Sequence, residues 1–202
     1  MFTPRMILII ASLFCTSIAW SQHRERFVSL AVTNHHSAYP FSVFGNLLAK
    51  EIHPGFELGY GFNWKTKPKH DWYQAFKAGY FYHRFVQHAI PLYTQFGYRY
   101  KPWQRLQFSA ALGVGYLHSI PATAVLKLNN DGTYKNAKGI GRGQVLLNLT
   151  TGVHYMLSKS HQNSATAFIE YQQMLQTPFI KSYVPLLPYN ALAIGLSFPL
   201  KK

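Results

Sequence analysis

Cysteine is all but missing from this 202-residue chain: the only one, Cys15, lies in an apolar run close to the N-terminus. No other thiol is present, which excludes disulfides and thiolate metal sites from the rest of the chain. Acidic side chains are scarce as well, six against twenty Lys and Arg, and charged residues of both signs make up only 13% of the whole. Long apolar runs are lacking too. The stretch Met6 to Ala19 falls short of the roughly 20 residues a membrane-spanning helix needs, and no later stretch reaches that length. Nothing resembles a linker or a low-complexity segment, so the chain reads as one domain behind a leader.

The leader is legible in three parts. Arg5 supplies a positive charge, Met6 to Ala19 an apolar run, and Ala19 and Ser21 the small residues that a signal peptidase needs before Gln22. Residues 1–21 are therefore expected to be a cleaved signal peptide and residues 22–202 the mature domain. Phe14 is too large for the position before a lipoprotein cysteine. All six acidic residues follow Gln22, so losing Arg5 lowers the formal charge of +14 by only one. An exported basic protein meets lipopolysaccharide, anionic head groups and acidic glycans, so membrane lipid and lipopolysaccharide are the expected partners and nucleic acid is not.

What the mature part has in abundance is alternation. From Phe56 to Trp64, Phe56, Leu58, Tyr60, Phe62 and Trp64 share one parity, and Glu57, Gly59, Gly61 and Asn63 share the other. Successive side chains of a strand point to opposite faces, so one face is greasy and the other small or polar. The pattern recurs over Ile90–Tyr100, Leu106–Tyr116, Val145–Tyr155 and Leu192–Phe198, and more weakly over Val28–Val32, Phe76–Tyr82 and Ala165–Tyr171. That makes eight strands. The links 65–70, 101–104 and 158–164 are short, those over 34–52, 119–142 and 175–189 are long, and only 86–88 breaks the alternation of lengths. Pro91 and Pro199, which cannot donate to a ladder, are expected near strand ends.

A soluble barrel would turn the bulky parity inward, whereas a membrane barrel turns it outward. Eight strands enclose a lumen just wide enough for modest side chains, and the second parity is rich in Gly, Ala and Ser with scattered polar groups. Aromatic residues, 16% of the chain, fall into two bands near the strand ends, as interfacial girdles require. The expected fold is all-β: an eight-stranded antiparallel up-and-down transmembrane barrel, with short periplasmic turns and long outer loops. The signal peptide, the eight strands and the closing strand Ala191–Leu200 resemble the small outer-membrane barrels of the OmpA/OmpX type. The Ile52-His53-Pro54-Gly55 lead, the Phe96-Gly97-Tyr98-Arg99-Tyr100 stretch and the 178–188 loop resemble those of the Bacteroidota. This resemblance implies fold and outer-membrane location over most of the mature chain, and no particular activity.

Several constellations are candidates for function. The inward parity collects Glu57, Lys77, His83, Gln95, Arg99, His154, Glu170 and Gln172, read as a mutually satisfied polar filling rather than a relay or a ligand site. His35 and Ser37, just past the first strand, have the His-x-Ser spacing of outer-membrane lipid A deacylases, in which a base activates a serine. Ala38 departs from the Asn of that pattern, and no carboxylate is evident nearby. Between Ser119 and Arg142, Asn129-Asn130-Asp131-Gly132 signals a hairpin ribbon. Lys127, Lys135, Lys138 and Arg142 make it basic and suited to lipopolysaccharide phosphates. The segment Tyr39–Phe44 is too apolar for a free loop and is expected to fold over the barrel mouth or meet a protein partner, and Val184–Pro188 is expected to be an exposed apolar patch that marks a contact. No cofactor motif and no metal site is read. The expected role is non-enzymatic, structural or interactive through the outer loops, with a lipid A hydrolase and a narrow solute pore as rivals.

Overall fold

The computed structural model describes residues 24–37, 52–124, 126–136, 139–158, 164–179 and 185–200. The proposed leader and the Tyr39–Phe44 segment lie outside them. The strands are β1 (Arg26–Ser37), β2 (Pro54–Thr66), β3 (His70–His83), β4 (Gln87–Tyr100), β5 (Leu106–Pro121), β6 (Leu126–Leu128), β7 (Tyr134–Asn136), β8 (Arg142–Met156), β9 (Thr166–Thr177) and β10 (Leu187–Leu200). Eight close into a barrel in the order β1-β10-β9-β8-β5-β4-β3-β2, every neighbouring pair antiparallel. The expected eight-stranded barrel is what the chain forms. β6 and β7 pair only with each other, as the Asn129–Gly132 turn signal led one to expect.

The apolar parity faces out. Phe56, Leu58 and Tyr60 are 49%, 50% and 42% exposed, whereas Glu57 between them is 5% exposed. The same division runs around the ring, so the outer wall is a continuous apolar band far larger than a soluble monomer exposes. Hydrocarbon is the solvent that suits it, and closure of the sheet gives the backbone amides partners there. A soluble barrel is thereby set aside.

The wall's two ends differ. At one end, the turn side, the links between β2 and β3, β4 and β5, and β8 and β9 are short; the other, the loop side, carries the long connections. Trp64, Trp72 and Trp103 stand on the turn-side rim, where the Arg24 guanidinium packs 3.9 Å over the Trp64 ring. On the loop side the Tyr80 hydroxyl lies 2.8 Å from His88 Nδ1 and the Tyr116 hydroxyl 2.9 Å from His118 Nδ1. Aromatic rings anchored by polar neighbours at both rims are what a membrane interface favours.

Three expectations need correction. Strands run further on the loop side than alternation shows: β1 continues to Ser37, β5 to Pro121 and β9 to Thr177, while β10 starts at Leu187. Outside the hydrocarbon the outward parity no longer has to be apolar, so the pattern fades while the backbone ladder continues. Leu187 and Pro188 accordingly belong to the wall, paired with Gln176 and Leu175, and only Pro185 and Leu186 of that segment's described residues are left exposed. Pro91 is not at a strand end but is the fifth of fourteen residues in β4. The β3–β4 ladder accommodates it by an interruption between the pairs Ala78↔Leu92 and Phe81↔Ala89.

Candidate functional site

The lumen is filled in layers, each set by inward positions at similar heights on several strands. Nearest the turn side, Tyr73, Ala75 and Ala111 pack with Phe27. Gly97 makes this possible, since a Cβ there would fall 2.3 Å from the Tyr73 ring. Above them lies the ion cluster. Lys77 Nζ is 2.8 Å from Glu57 Oε1 and 2.9 Å from Glu170 Oε2, with all three side chains almost fully buried. Glu57 also accepts from the Tyr93 hydroxyl and from Gln172 Nε2, the latter at 3.3 Å. His154 Nε2 lies 2.7 Å from Ser109 Oγ and 3.8 Å from Glu170 Oε1.

Toward the loop side comes an apolar layer of Phe81, Ala89, Tyr93, Leu117, Leu146, Met174 and Tyr189, contributed by six strands. A second polar layer caps it: Gln87 and Gln176 exchange amide hydrogen bonds at 2.7 and 3.0 Å, and Gln176 Nε2 donates to Gln144 Oε1 at 2.5 Å. Beside these amides the rings of His53 and His83 stack 3.8 Å apart, and that of His35 stacks 3.9 Å from Phe81.

The eight residues read as one inward set therefore separate. Glu57, Lys77, His154, Glu170 and Gln172 share the ion cluster. Gln95 lies beside it, accepting from Thr150 Oγ1 at 3.5 Å. His83 belongs to the loop-side mouth. Arg99 turns toward the turn-side mouth, with its guanidinium 4.7 Å from the Tyr73 ring and 4.0 Å from Asp71 Oδ2. That carboxylate is bridged at 2.5 Å by Lys101. Sequence reasoning passed over Asp71 because it borders a polar turn, although it shares inward parity with Tyr73, Ala75 and Lys77. Gln87 and Gln176 were missed for a similar reason, their strand ends being taken for loop, and Gln144, on the inward parity of its strand, was left without its partners. Around Asp71, Arg99, Lys101 and His154 a cavity of about 1190 Å³ opens to the turn side.

His35 and Ser37 are not beyond the strand: both are part of β1, with Ser37 opposite Tyr189. The His35 ring is buried in the lumen, Nε2 being 2.9 Å from Thr33 Oγ1, rather than on the outer surface. Ser109, His154 and Glu170 make no relay either, because the hydroxyl and the carboxylate approach the same imidazole nitrogen, Nε2, whereas a triad places them on opposite ones. Among the described residues no group of three or more His, Cys, Asp or Glu side chains is arranged to hold a metal.

On the loop side, Lys127 in β6 is paired with Lys135 in β7, and Lys135 is exposed. The Arg142 guanidinium at the foot of β8 sits 5.2 Å over the Phe179 ring. Lys138 lies outside the described residues. The ribbon turn is tied by Asp131, whose Oδ1 accepts from the Thr133 amide at 3.0 Å and its hydroxyl at 2.6 Å. Those hydrogen bonds hold the Asp131 carboxyl below its ordinary pKa.

The closed eight-stranded barrel is similar to those of small outer-membrane proteins among solved structures. Ail, the attachment invasion locus protein of Yersinia pestis, solved with the heparin analogue sucrose octasulfate, is similar at 10% identity over 89% of this chain and all of that one, with a TM-score of 0.49. Neisserial surface protein A is similar at 9% identity over 88% and 97% of the two chains, TM-score 0.47. The outer membrane enzyme PagL is similar at 11% identity over 87% and 99%, TM-score 0.43. No protein-family model and no curated protein sequence matches the chain.

Proposed function

We propose that this chain works in the outer membrane as a non-enzymatic, non-conducting barrel whose role is carried by its loop-side surface, in contact with lipopolysaccharide and a protein partner. The observation that carries this reading is the apolar layer of Phe81, Leu117, Leu146, Met174 and Tyr189, which fills the lumen between the ion cluster and the loop-side mouth. Ions and polar solutes would have to cross it without compensating hydrogen bonds, at a cost of several kcal/mol each, roughly 2–7. Lys135 and Arg142 offer cations for charge-assisted bonds to lipid A or core phosphates, and Lys127 and Lys138 extend the same stretch. Leu126, Leu128, Tyr134 and Ile140 are exposed around them, and such apolar surface beyond the membrane favours a contact. The Tyr39–Phe44 segment and the exposed Pro185 and Leu186 are candidate parts of that surface.

The hydrolase alternative is weakened by His35, whose buried ring meets Thr33 and Phe81 and to which no described carboxylate is bonded. Two assays test the proposal together. In a planar lipid bilayer the folded protein should give no steady conductance steps, and lipid A from cells expressing it should carry the same acyl chains as lipid A from cells expressing Ser37→Ala. Discrete steps would establish the pore, and a Ser37-dependent loss of an acyl chain would establish the hydrolase.

A further inference from the structure

The lipid-facing wall is not evenly padded. Between β8 and β1 it is recessed into an apolar groove of about 630 Å³ walled by Val32, Val153, Ile169, Ile194 and Phe198. The cause is Ala167, which takes the outward parity of β9 and is flanked in register by Leu196 on β10 and Tyr155 on β8. Where neighbouring strands present side chains that reach into the hydrocarbon, this position presents a methyl group, so the wall there has a floor. The groove lies in the turn-side half of the wall, as Tyr155 is opposite Leu106, the first residue of β5.

Its turn-side end carries charge. The Tyr155 hydroxyl, at the edge of the groove, accepts from Arg105 Nη1 at 3.3 Å. Arg105 precedes β5 on the turn-side rim, and its backbone carbonyl accepts from the Met156 amide at 2.9 Å, which fixes the residue beside the groove. An apolar bed embedded in hydrocarbon that ends at a positioned guanidinium matches one kind of molecule: acyl chains below, an anionic phosphodiester above.

We propose that this groove is a site for a single anionic glycerophospholipid of the turn-side leaflet, held by its acyl chains over Ala167 and by its phosphate at Arg105. The inference depends on the barrel's placement in a membrane and not on the role of its loops. The chain is folded in detergent, mixed in turn with phosphatidylglycerol, phosphatidylethanolamine and lipid A, and bound lipid is counted by native mass spectrometry. One phosphatidylglycerol should be retained under conditions that strip the other two. Ala167→Phe, which fills the recess, should abolish that adduct, while Ala110→Phe, which adds the same bulk to the outward face of β5 away from the groove, should keep it. Arg105→Gln, which leaves the recess intact, should retain phosphatidylglycerol and phosphatidylethanolamine equally. Retention by Ala167→Phe showing a normal heat-dependent mobility shift would overturn the site; so would preference of the unaltered protein for phosphatidylethanolamine or lipid A, or an undiminished phosphatidylglycerol preference in Arg105→Gln.

Discussion

Lys77 and Glu170 stand on strands four places apart by either route around the eight-stranded ring, yet their charged groups meet at 2.9 Å. The pair is a strut across the lumen, and Glu57 on β2 shares the same ammonium. Two carboxylates thus share one lysine, and all three groups are out of water.

Removing the lysine strands both carboxylates. Lys77→Met should destabilise the barrel by roughly 3–5 kcal/mol, as loss of one partner from a buried ion pair does. Urea unfolding of the protein in lipid vesicles or detergent measures this, and an unchanged midpoint would show that water reaches the cluster. The triple replacement Glu57→Gln, Lys77→Met, Glu170→Gln, which leaves no lone charge, should cost less than Lys77→Met alone.

A second prediction concerns close approach of backbones. Gly115 on β5 lies opposite Tyr93 on β4, and a Cβ at 115 would fall 2.2 Å from the Leu92 carbonyl oxygen and 2.4 Å from Tyr93 Cα. Backbone atoms cannot rotate aside, so Gly115→Ala forces the two strands apart at a cost of about 1–3 kcal/mol. A lower temperature for loss of the compact gel band would register it. No change in that temperature would mean the strands are further apart than this register places them.

Which face is wet is tested at Leu58, outward in the middle of β2. An arginine there should cost about 2–4 kcal/mol when the barrel folds into a bilayer, the price of a charge at hydrocarbon depth. If Leu58→Arg folds into vesicles as readily as the parent, the outward face is not in lipid.

The ribbon carries a pH dependence of its own. Hydrogen bonds from Thr133 hold the Asp131 carboxyl below 3.8, so the ionised form is favoured when the turn is made. The stabilisation is fully present above the ordinary carboxylate value and is lost as pH falls through the lowered one. Exchange of the Thr133 amide should therefore accelerate, beyond its intrinsic pH dependence, only in strongly acid solution. Asp131→Asn should erase that step, and a step surviving in the variant would assign it to another group.

How much of this was legible follows from the demands on each parity. Phe56 to Trp64 announce a strand because hydrocarbon tolerates little else on that face, and the Glu57–Lys77–Glu170 set is visible as the polar members of the opposite parity. Asp71, Gln87 and Gln176 were not, because they occupy strand ends beyond the hydrocarbon, where both parities are free to be polar. His35 was misplaced on the same grounds. Pro91 misled for a different reason: a missing donor excludes a residue from an intact ladder, but β3 and β4 part locally and the rest of the barrel holds them. Pairing across the lumen, which brings β3 to β9, depends on closure and lies outside anything alternation reports.

The apolar layer through Leu117 and Leu146 has an electrochemical meaning. The cavity around Asp71, Arg99 and His154 opens on the turn side, whereas His35, His53 and His83 lie beyond the layer on the loop side. Each half of the interior thus equilibrates with a different compartment. In a sealed vesicle, an ion entering the turn-side cavity would stop at that layer, so a gradient set across the membrane would fall mainly over this one stratum of side chains.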